Sequence, residues 1–143
     1  MSAAAPLRVM IVDDEAPARN RLRDLIGDCA LTMPLEIVAE AENGRRALEL
    51  LPECGADVML LDIRMPEIDG IEVAQHLQKL ENPPVVIFTT AYDAYALKAF
   101  EVHAVDYLLK PIRVARLLEA LERARAIAPL EAEVLQEIGR AHV

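Results

Sequence analysis

Five polar side chains stand at or just beyond the ends of short apolar segments. The segment "LRVMIV" precedes Asp13 and Asp14, "DVMLLD" ends in Asp62, "PVVIFTT" ends in Thr90, and "AVDYLL" precedes Lys110. If these segments are parallel strands, the five side chains meet at one edge of the sheet, where ligands bind in open α/β sheets. A single aspartate at a strand end is typical of a turn or a helix cap, but recurrence at four strands indicates a shared site.

The chemistry of this set is specific. Three close carboxylates repel one another unless a cation joins them, and a cluster of oxygen ligands suits Mg²⁺. One carboxylate can attack phosphorus and form an aspartyl phosphate. An amine and a hydroxyl can then neutralise and hydrogen-bond the phosphoryl oxygens. The residue types therefore predict a site for phosphoryl transfer, which depends mainly on positioning and charge neutralisation.

The elements that would position these residues alternate along the chain. Strands are predicted at residues 7–12, 35–40, 57–62, 84–90 and 104–109. A helix with Pro17 in its first turn follows the first strand, and a short helix at 43–51 ends near Pro52; a weaker helix covers about 92–101. Further helical periodicity follows the third and fifth strands. Such alternation predicts an α/β fold, a parallel sheet with helices on both faces.

Composition limits the remaining choices. A chain of 143 residues has room for one domain, and its net charge of −9 argues against nucleic-acid binding by this chain, because phosphate contacts need a basic surface. No apolar run is long enough to span a membrane, and the start of the chain lacks a signal-peptide pattern. We therefore expect a soluble, cytoplasmic protein. Cys29 and Cys54 are expected to be free thiols, buried or half-buried.

Four segments in this order resemble the receiver domain of bacterial two-component response regulators: "VMIVDDE", "VMLLDIRMPEIDG", "VVIFTTAY" and "VDYLLKP". The resemblance covers about residues 6–127. It implies a flavodoxin-like, doubly wound, five-stranded parallel sheet with strand order 2-1-3-4-5. It also implies a phosphoryl donor, a sensor histidine kinase, and a Mg²⁺ cofactor, with signalling rather than enzymatic turnover as the function.

The resemblance also assigns roles around the acidic cluster. Asp62 matches the phosphoacceptor. Asp14 matches a direct Mg²⁺ ligand and Asp13 a ligand acting mainly through water. The backbone carbonyl of Arg64 matches the remaining protein ligand, and Lys110 matches the lysine that contacts the phosphoryl group.

A second group of roles concerns the switch. Thr90 matches the switch hydroxyl and Tyr107 the switch aromatic, so the resemblance implies that Thr90 moves toward the phosphoryl group and that Tyr107 then rotates inward. The peptide bond between Lys110 and Pro111 is expected to be cis. The side chains of Arg64 and Tyr92 are expected to lie near the site and to alter how long the phosphoryl group survives.

The segment "FTTAYDAYALKAFEVHAVDYLLKP" is similar to receivers that precede a LytTR-type DNA-binding domain. We therefore predict a receiver domain at 1–127 and a linker or tail at 128–143. DNA would be bound only through a C-terminal domain absent from this chain. The fourth helix, fifth strand and fifth helix, residues 92–126, would form a face for homodimerisation or effector contact. Its mixed charges suit reciprocal salt bridges between copies, but an ordinary solvated surface explains them equally well.

Other functions fit the sequence less well. A Rossmann dehydrogenase needs a glycine-rich turn after the first strand, and a P-loop nucleotidase needs its lysine motif; neither is present. A flavodoxin's flavin phosphate would be repelled by the acidic pair. A phosphatase of the haloacid dehalogenase type needs a second aspartate where Arg64 stands. A stand-alone receiver that acts through protein contacts remains an alternative to a transcription factor.

Overall fold

Five strands and five helices alternate strictly along the part of the chain that the computed structural model describes, residues 5–141, with side chains described as far as residue 128. The strands are β1 (Leu7–Val12), β2 (Leu35–Ala41), β3 (Val58–Leu61), β4 (Val85–Thr90) and β5 (Asp106–Leu109). The helices are α1 (Ala16–Cys29), α2 (Gly44–Cys54), α3 (Gly70–Leu77), α4 (Ala96–Glu101) and α5 (Val114–Ala141). The predicted alternation is therefore confirmed.

All five strands are parallel and lie in the order β2-β1-β3-β4-β5, which confirms the predicted doubly wound fold. The register brings the strand ends level with one another. Val12 of β1 lies opposite Leu61 of β3, and Thr90 of β4 lies opposite Leu109 of β5. The residues that follow these pairs, Asp13 and Asp62 on one side and Lys110 on the other, therefore emerge at the same edge.

Helices cover both faces of the sheet, and successive strand side chains point to opposite faces, so the central strands are buried on both sides. Val9 and Ile11 of β1 pack into the layer that contains α1 and α5, whereas Met10 and Val12 pack into the layer that contains α2 and α3. Every residue of β3 is buried. This double burial explains why the central strands are almost continuously apolar and why a charged residue at their end is conspicuous.

Helices α2 and α4 have bounds that differ from the sequence prediction. Helix α2 does not end near Pro52 but continues to Cys54, with Pro52 inside its last turn. Burial of Leu51 anchors that turn, and Gly55, with a left-handed φ of 64°, ends the helix. Helix α4 begins at Ala96 rather than near Tyr92, because the carbonyl of Tyr92 accepts from the hydroxyl of Tyr107 instead of from a backbone amide one turn later.

The last helix is longer than predicted. Helix α5 continues to Ala141, so the segment 128–143, which we predicted to be a linker, is helical over most of its length. That segment is rich in alanine, leucine and glutamate, which favour helix. Its role as the connection to another domain stays a prediction. Among residues 5–141, no helix combines the length and apolar composition needed to cross a membrane.

Candidate functional site

Three aspartates meet at the carboxyl edge of the sheet. Asp13 and Asp14 follow β1 and Asp62 follows β3, and one carboxylate oxygen from each lies within 4.8 Å of the others. Asp13 and Asp62 are buried, whereas Asp14 is exposed to solvent at this edge of the sheet. The set offers only oxygen ligands and excess negative charge, which fits a hard divalent cation such as Mg²⁺.

The backbone holds Asp62 in place. Its amide donates to the carbonyl of Val12 at 2.9 Å, and its Oδ1 accepts from the amide of Ile63 at 2.8 Å. Gly70, at the start of α3, donates its amide to the carbonyl of Ile63 at 2.7 Å. A Cβ on Gly70 would stand 2.2 Å from the carbonyl oxygen of Asp62, so only glycine permits this close approach.

Asp62 is poorly compensated electrostatically. Burial raises the pKa of its carboxyl group, and the attraction of Lys110 opposes that effect. The neighbouring charges of Asp13 and Asp14 raise the pKa further, and it reaches about 6. Such a shift, caused by burial and by like charges, is characteristic of functional sites.

Lys110 supplies the positive charge at this edge. Its Nζ lies 2.8 Å from Oδ2 of Asp13 and 3.7 Å from Oδ2 of Asp62, so it is bonded mainly to Asp13. Burial alone would lower the pKa of the Lys110 ammonium, but the bond to Asp13 and the charges of both aspartates outweigh it and raise that pKa. The peptide bond between Lys110 and Pro111 is cis, as predicted.

Thr90 and Tyr107 are linked through Tyr92. The side chain of Thr90 is fully buried, and its Oγ1 accepts from the amide of Tyr92 at 3.3 Å. The hydroxyl of Tyr107 donates to the carbonyl of Tyr92. Tyr107 is half-buried, and its ring packs against Phe88 with ring centroids 6.4 Å apart. The two predicted switch residues are therefore joined by one intervening residue.

The side chain of Arg64 stacks on Tyr92. Its guanidinium carbon lies 4.5 Å from the centroid of the Tyr92 ring, a cation–π geometry. Both side chains are expected near the site, but nothing in the sequence indicates a contact between these two residues, which are 28 positions apart. Whether the carbonyl of Arg64 binds a metal stays a prediction.

Three further contacts were not predicted. Arg19 of α1 donates from Nη1 to the carbonyl of Asp13 at 2.7 Å, which fixes the loop after β1.

At the start of β5, the end away from Lys110, Asp106 pairs with Arg116 and Arg123 within the same chain. These charges on the predicted dimer face are already paired internally, so they are not free for reciprocal salt bridges in this conformation.

Comparison with known proteins identifies the family of this chain. The family model described as "Response regulator receiver domain" matches residues 9–122. The positive alginate biosynthesis regulatory protein of Pseudomonas aeruginosa is 50% identical over 82% of this chain and 47% of its own length. The sensory transduction protein LytT of Bacillus anthracis is 42% identical over 96% of this chain and 54% of its own length.

The solved structures agree as well. The response regulatory domain of protein mrkE from Klebsiella pneumoniae superposes with a TM-score of 0.77 at 32% identity, covering 86% of this chain and 98% of that one. The chain spans about half the length of the curated relatives it matches, and the relative named LytT agrees with the LytTR-type resemblance. This chain belongs to the response regulator receiver domain family of two-component signalling.

Proposed function

We propose that Asp62 accepts a phosphoryl group from a phosphohistidine of a sensor histidine kinase in a Mg²⁺-dependent reaction. The observation that carries this proposal is a buried carboxylate, with its pKa raised to about 6, that shares one edge of a receiver fold with two further carboxylates and a lysine. Carboxylates whose pKa is raised by burial and by neighbouring like charges cluster at functional sites.

The step is a displacement at phosphorus. An Oδ atom of Asp62 forms the new O–P bond, the P–N bond to the donor imidazole breaks, and the imidazole nitrogen keeps the electron pair and takes up a proton. Lys110, with Nζ 3.7 Å from the Asp62 carboxylate, would neutralise a phosphoryl oxygen. The Thr90 hydroxyl would donate a hydrogen bond to another.

The donor set fits Mg²⁺. Asp14 and Asp62 would bind it directly, Asp13 mainly through water, and the carbonyl of Arg64 would complete the protein ligands. Bound Mg²⁺ supplies charge neutralisation for the carboxylates and phosphoryl oxygens. The clustering of the three carboxylates within 4.8 Å supports this assignment.

The output would run through Thr90 and Tyr107 to the face formed by α4, β5 and α5. Two large apolar side chains of α4 are strongly exposed there, Leu97 at 70% and Phe100 at 79%, which supports a contact with a second copy or with an effector. With the charges of Asp106, Arg116 and Arg123 paired internally, apolar contact would carry most of that interaction.

The effector would be a LytTR-type DNA-binding domain that controls transcription, and DNA would be contacted only through it. The relatives named as a positive regulator of alginate biosynthesis and as the transcriptional regulatory protein LytR support this proposal. We propose a cytoplasmic signalling domain rather than an enzyme with a diffusible substrate. A stand-alone receiver that acts by protein contact is the alternative.

Intact-protein mass spectrometry after incubation with Mg²⁺ and acetyl phosphate tests the phosphoacceptor. The wild type should gain one phosphoryl group, Asp62→Asn none, and the matched control Asp106→Asn one. Gain of a phosphoryl group by Asp62→Asn would contradict the assignment, and turnover of many equivalents of a phosphomonoester would indicate a phosphatase.

Replacing Arg64 or Tyr92 should change the decay rate of the aspartyl phosphate, and unchanged decay in both variants would refute their modulating role.

A further inference from the structure

Tyr92 makes three contacts that connect separate parts of the molecule. Its amide donates to Oγ1 of Thr90, and its carbonyl accepts from the hydroxyl of Tyr107. Its ring lies under the guanidinium of Arg64, which comes from the loop after β3. The first two contacts use the backbone, so they depend on where the loop after β4 is held. Among the side-chain contacts described for Tyr92, the stacking of its ring on Arg64 is the one that can hold this loop.

Arg64 is exposed, and no carboxylate among residues 5–128 lies within ion-pair distance of its guanidinium. Its charge is therefore held in this conformation by the Tyr92 ring. A cation–π contact at an exposed site is weak compared with a charge-assisted hydrogen bond to a phosphoryl oxygen. Arg64 also stands only two residues after Asp62, so a dianion on Asp62 would compete for its guanidinium.

We infer that Arg64 is a positioning residue for the switch: its stacking on Tyr92 holds the loop after β4 so that Tyr92 retains Tyr107, and a phosphoryl group on Asp62 draws the guanidinium away and releases that hold. The second half of this inference rests on the proposed function of Asp62. Phosphorylation would then favour the released state because Arg64 interacts more strongly with the phosphoryl group than with the ring.

The chain suits a direct spectroscopic test because it has three tyrosines, Tyr92, Tyr95 and Tyr107, and no tryptophan. Protein labelled with 3-fluorotyrosine should give three ¹⁹F resonances, which single Tyr→Phe variants assign. Beryllofluoride serves as the phosphoryl mimic, and the ¹⁹F signal of its bound form reports occupancy of Asp62 independently of the tyrosines. Each resonance is measured with and without Mg²⁺ and beryllofluoride.

The first arm uses the unphosphorylated protein. Arg64→Gln should move the Tyr107 resonance toward its beryllofluoride position, whereas Arg64→Lys, which keeps a cation, should move it less. Tyr92→Leu keeps both backbone contacts but removes the ring, so it should move Tyr107 as Arg64→Gln does, while Tyr92→Phe should not. The double variant of Arg64→Gln and Tyr92→Leu should add nothing further. Arg46→Gln, in α2, is the matched control and should move none of the three.

The outcomes separate cleanly. A Tyr107 resonance that stays in place in Arg64→Gln, with only Tyr92 shifted, overturns the positioning role and leaves simple surface stacking. If beryllofluoride binds the wild type but the Tyr92 resonance does not shift, the release by phosphate is wrong. If beryllofluoride does not bind, the proposed function of Asp62 fails. The first arm then still decides the role of Arg64 by whether the Tyr107 resonance moves in Arg64→Gln and Tyr92→Leu and stays in place in Arg46→Gln.

Discussion

Two aspartates of this domain are buried to nearly the same extent and behave in opposite ways. The side chain of Asp62 is 8% exposed and that of Asp106 is 9% exposed. The pKa of Asp62 is raised to about 6. Burial would also raise the pKa of Asp106, but its hydrogen bonds and the arginine charges outweigh burial and lower that pKa below its usual range.

The difference lies in the partners. Asp106 accepts from Arg116 at 2.6 and 2.8 Å, from Arg123 at 2.6 Å and from the Tyr107 amide. Asp62 accepts one backbone hydrogen bond and shares Lys110, which is closer to another aspartate. A fully paired carboxylate stabilises the fold, whereas an under-compensated one is available for chemistry. Side-chain exposure alone does not distinguish the two roles.

The largest predicted effect tests how Asp62 is held, by backbone rather than by side chains. Gly70→Ala should lower the free energy of unfolding by about 3 kcal/mol, because the new Cβ would stand 2.2 Å from the Asp62 carbonyl and 2.8 Å from the Ile63 Cα, both backbone atoms. Urea denaturation measures this. Gly27→Ala, in α1 with no atom within 4 Å of its Cβ, is the control and should be neutral or slightly stabilising.

Asp106→Asn should destabilise the domain at neutral pH by about 2 kcal/mol, since it removes the charge that two arginines share. Because the folded pKa of Asp106 is depressed, its stabilisation is present above the unfolded pKa and is lost as pH falls through the folded value. The difference between wild type and variant should therefore disappear in strong acid. Urea melts at several pH values check this; equal stabilities at pH 7 would contradict it.

The sequence predicted the fold and the clustering of the strand-end residues because strand alternation and strand-end chemistry are local features. Asp13, Asp14, Asp62 and Lys110 could be assigned to one edge from their positions alone. The sequence did not predict where helix α4 begins, since the carbonyl of Tyr92 is taken by the distant hydroxyl of Tyr107 instead of a helical amide. Pairing within the chain was equally invisible, because Asp106 and Arg123 are 17 residues apart and charge alone does not choose the partner.

Asp62→Asn should act in the opposite direction to Asp106→Asn. In EDTA at pH 7.5 this variant should stabilise the domain by about 1 kcal/mol. The full pKa shift corresponds to a larger free energy, but water at the exposed edge of the site screens the charge of Asp62. A raised folded pKa means that stability is lost as pH rises toward and through about 6, so the advantage of the variant should shrink as pH falls from 6 toward 4. Thermal melts across this range measure it.

Mg²⁺ supplies the complementary control for Asp62. A cation that binds only the native state stabilises it, so Mg²⁺ should raise the melting temperature of the wild type more than that of Asp62→Asn. Asp106→Asn should respond to Mg²⁺ as the wild type does. An advantage of Asp62→Asn that is constant with pH would show that it does not come from the charge of Asp62. An equal Mg²⁺ response in all three proteins would show that Asp62 does not contribute to binding the ion.

The smallest effects concern the two arginines of Asp106, and they sharpen what full pairing means. Arg116 makes two bonds to Asp106 and Arg123 makes one, and their side chains are 42% and 51% exposed. Arg116→Gln should therefore cost about 1 kcal/mol and Arg123→Gln about 0.5 kcal/mol. Each arginine alone still neutralises Asp106, and both also contact Glu119. The double variant should therefore lose more stability than the two single variants added together. A double-mutant cycle in urea measures this excess. Simple additivity would mean that Asp106 is held by two independent surface ion pairs and not by a shared network, so its low exposure would add nothing to the strength of the pairing.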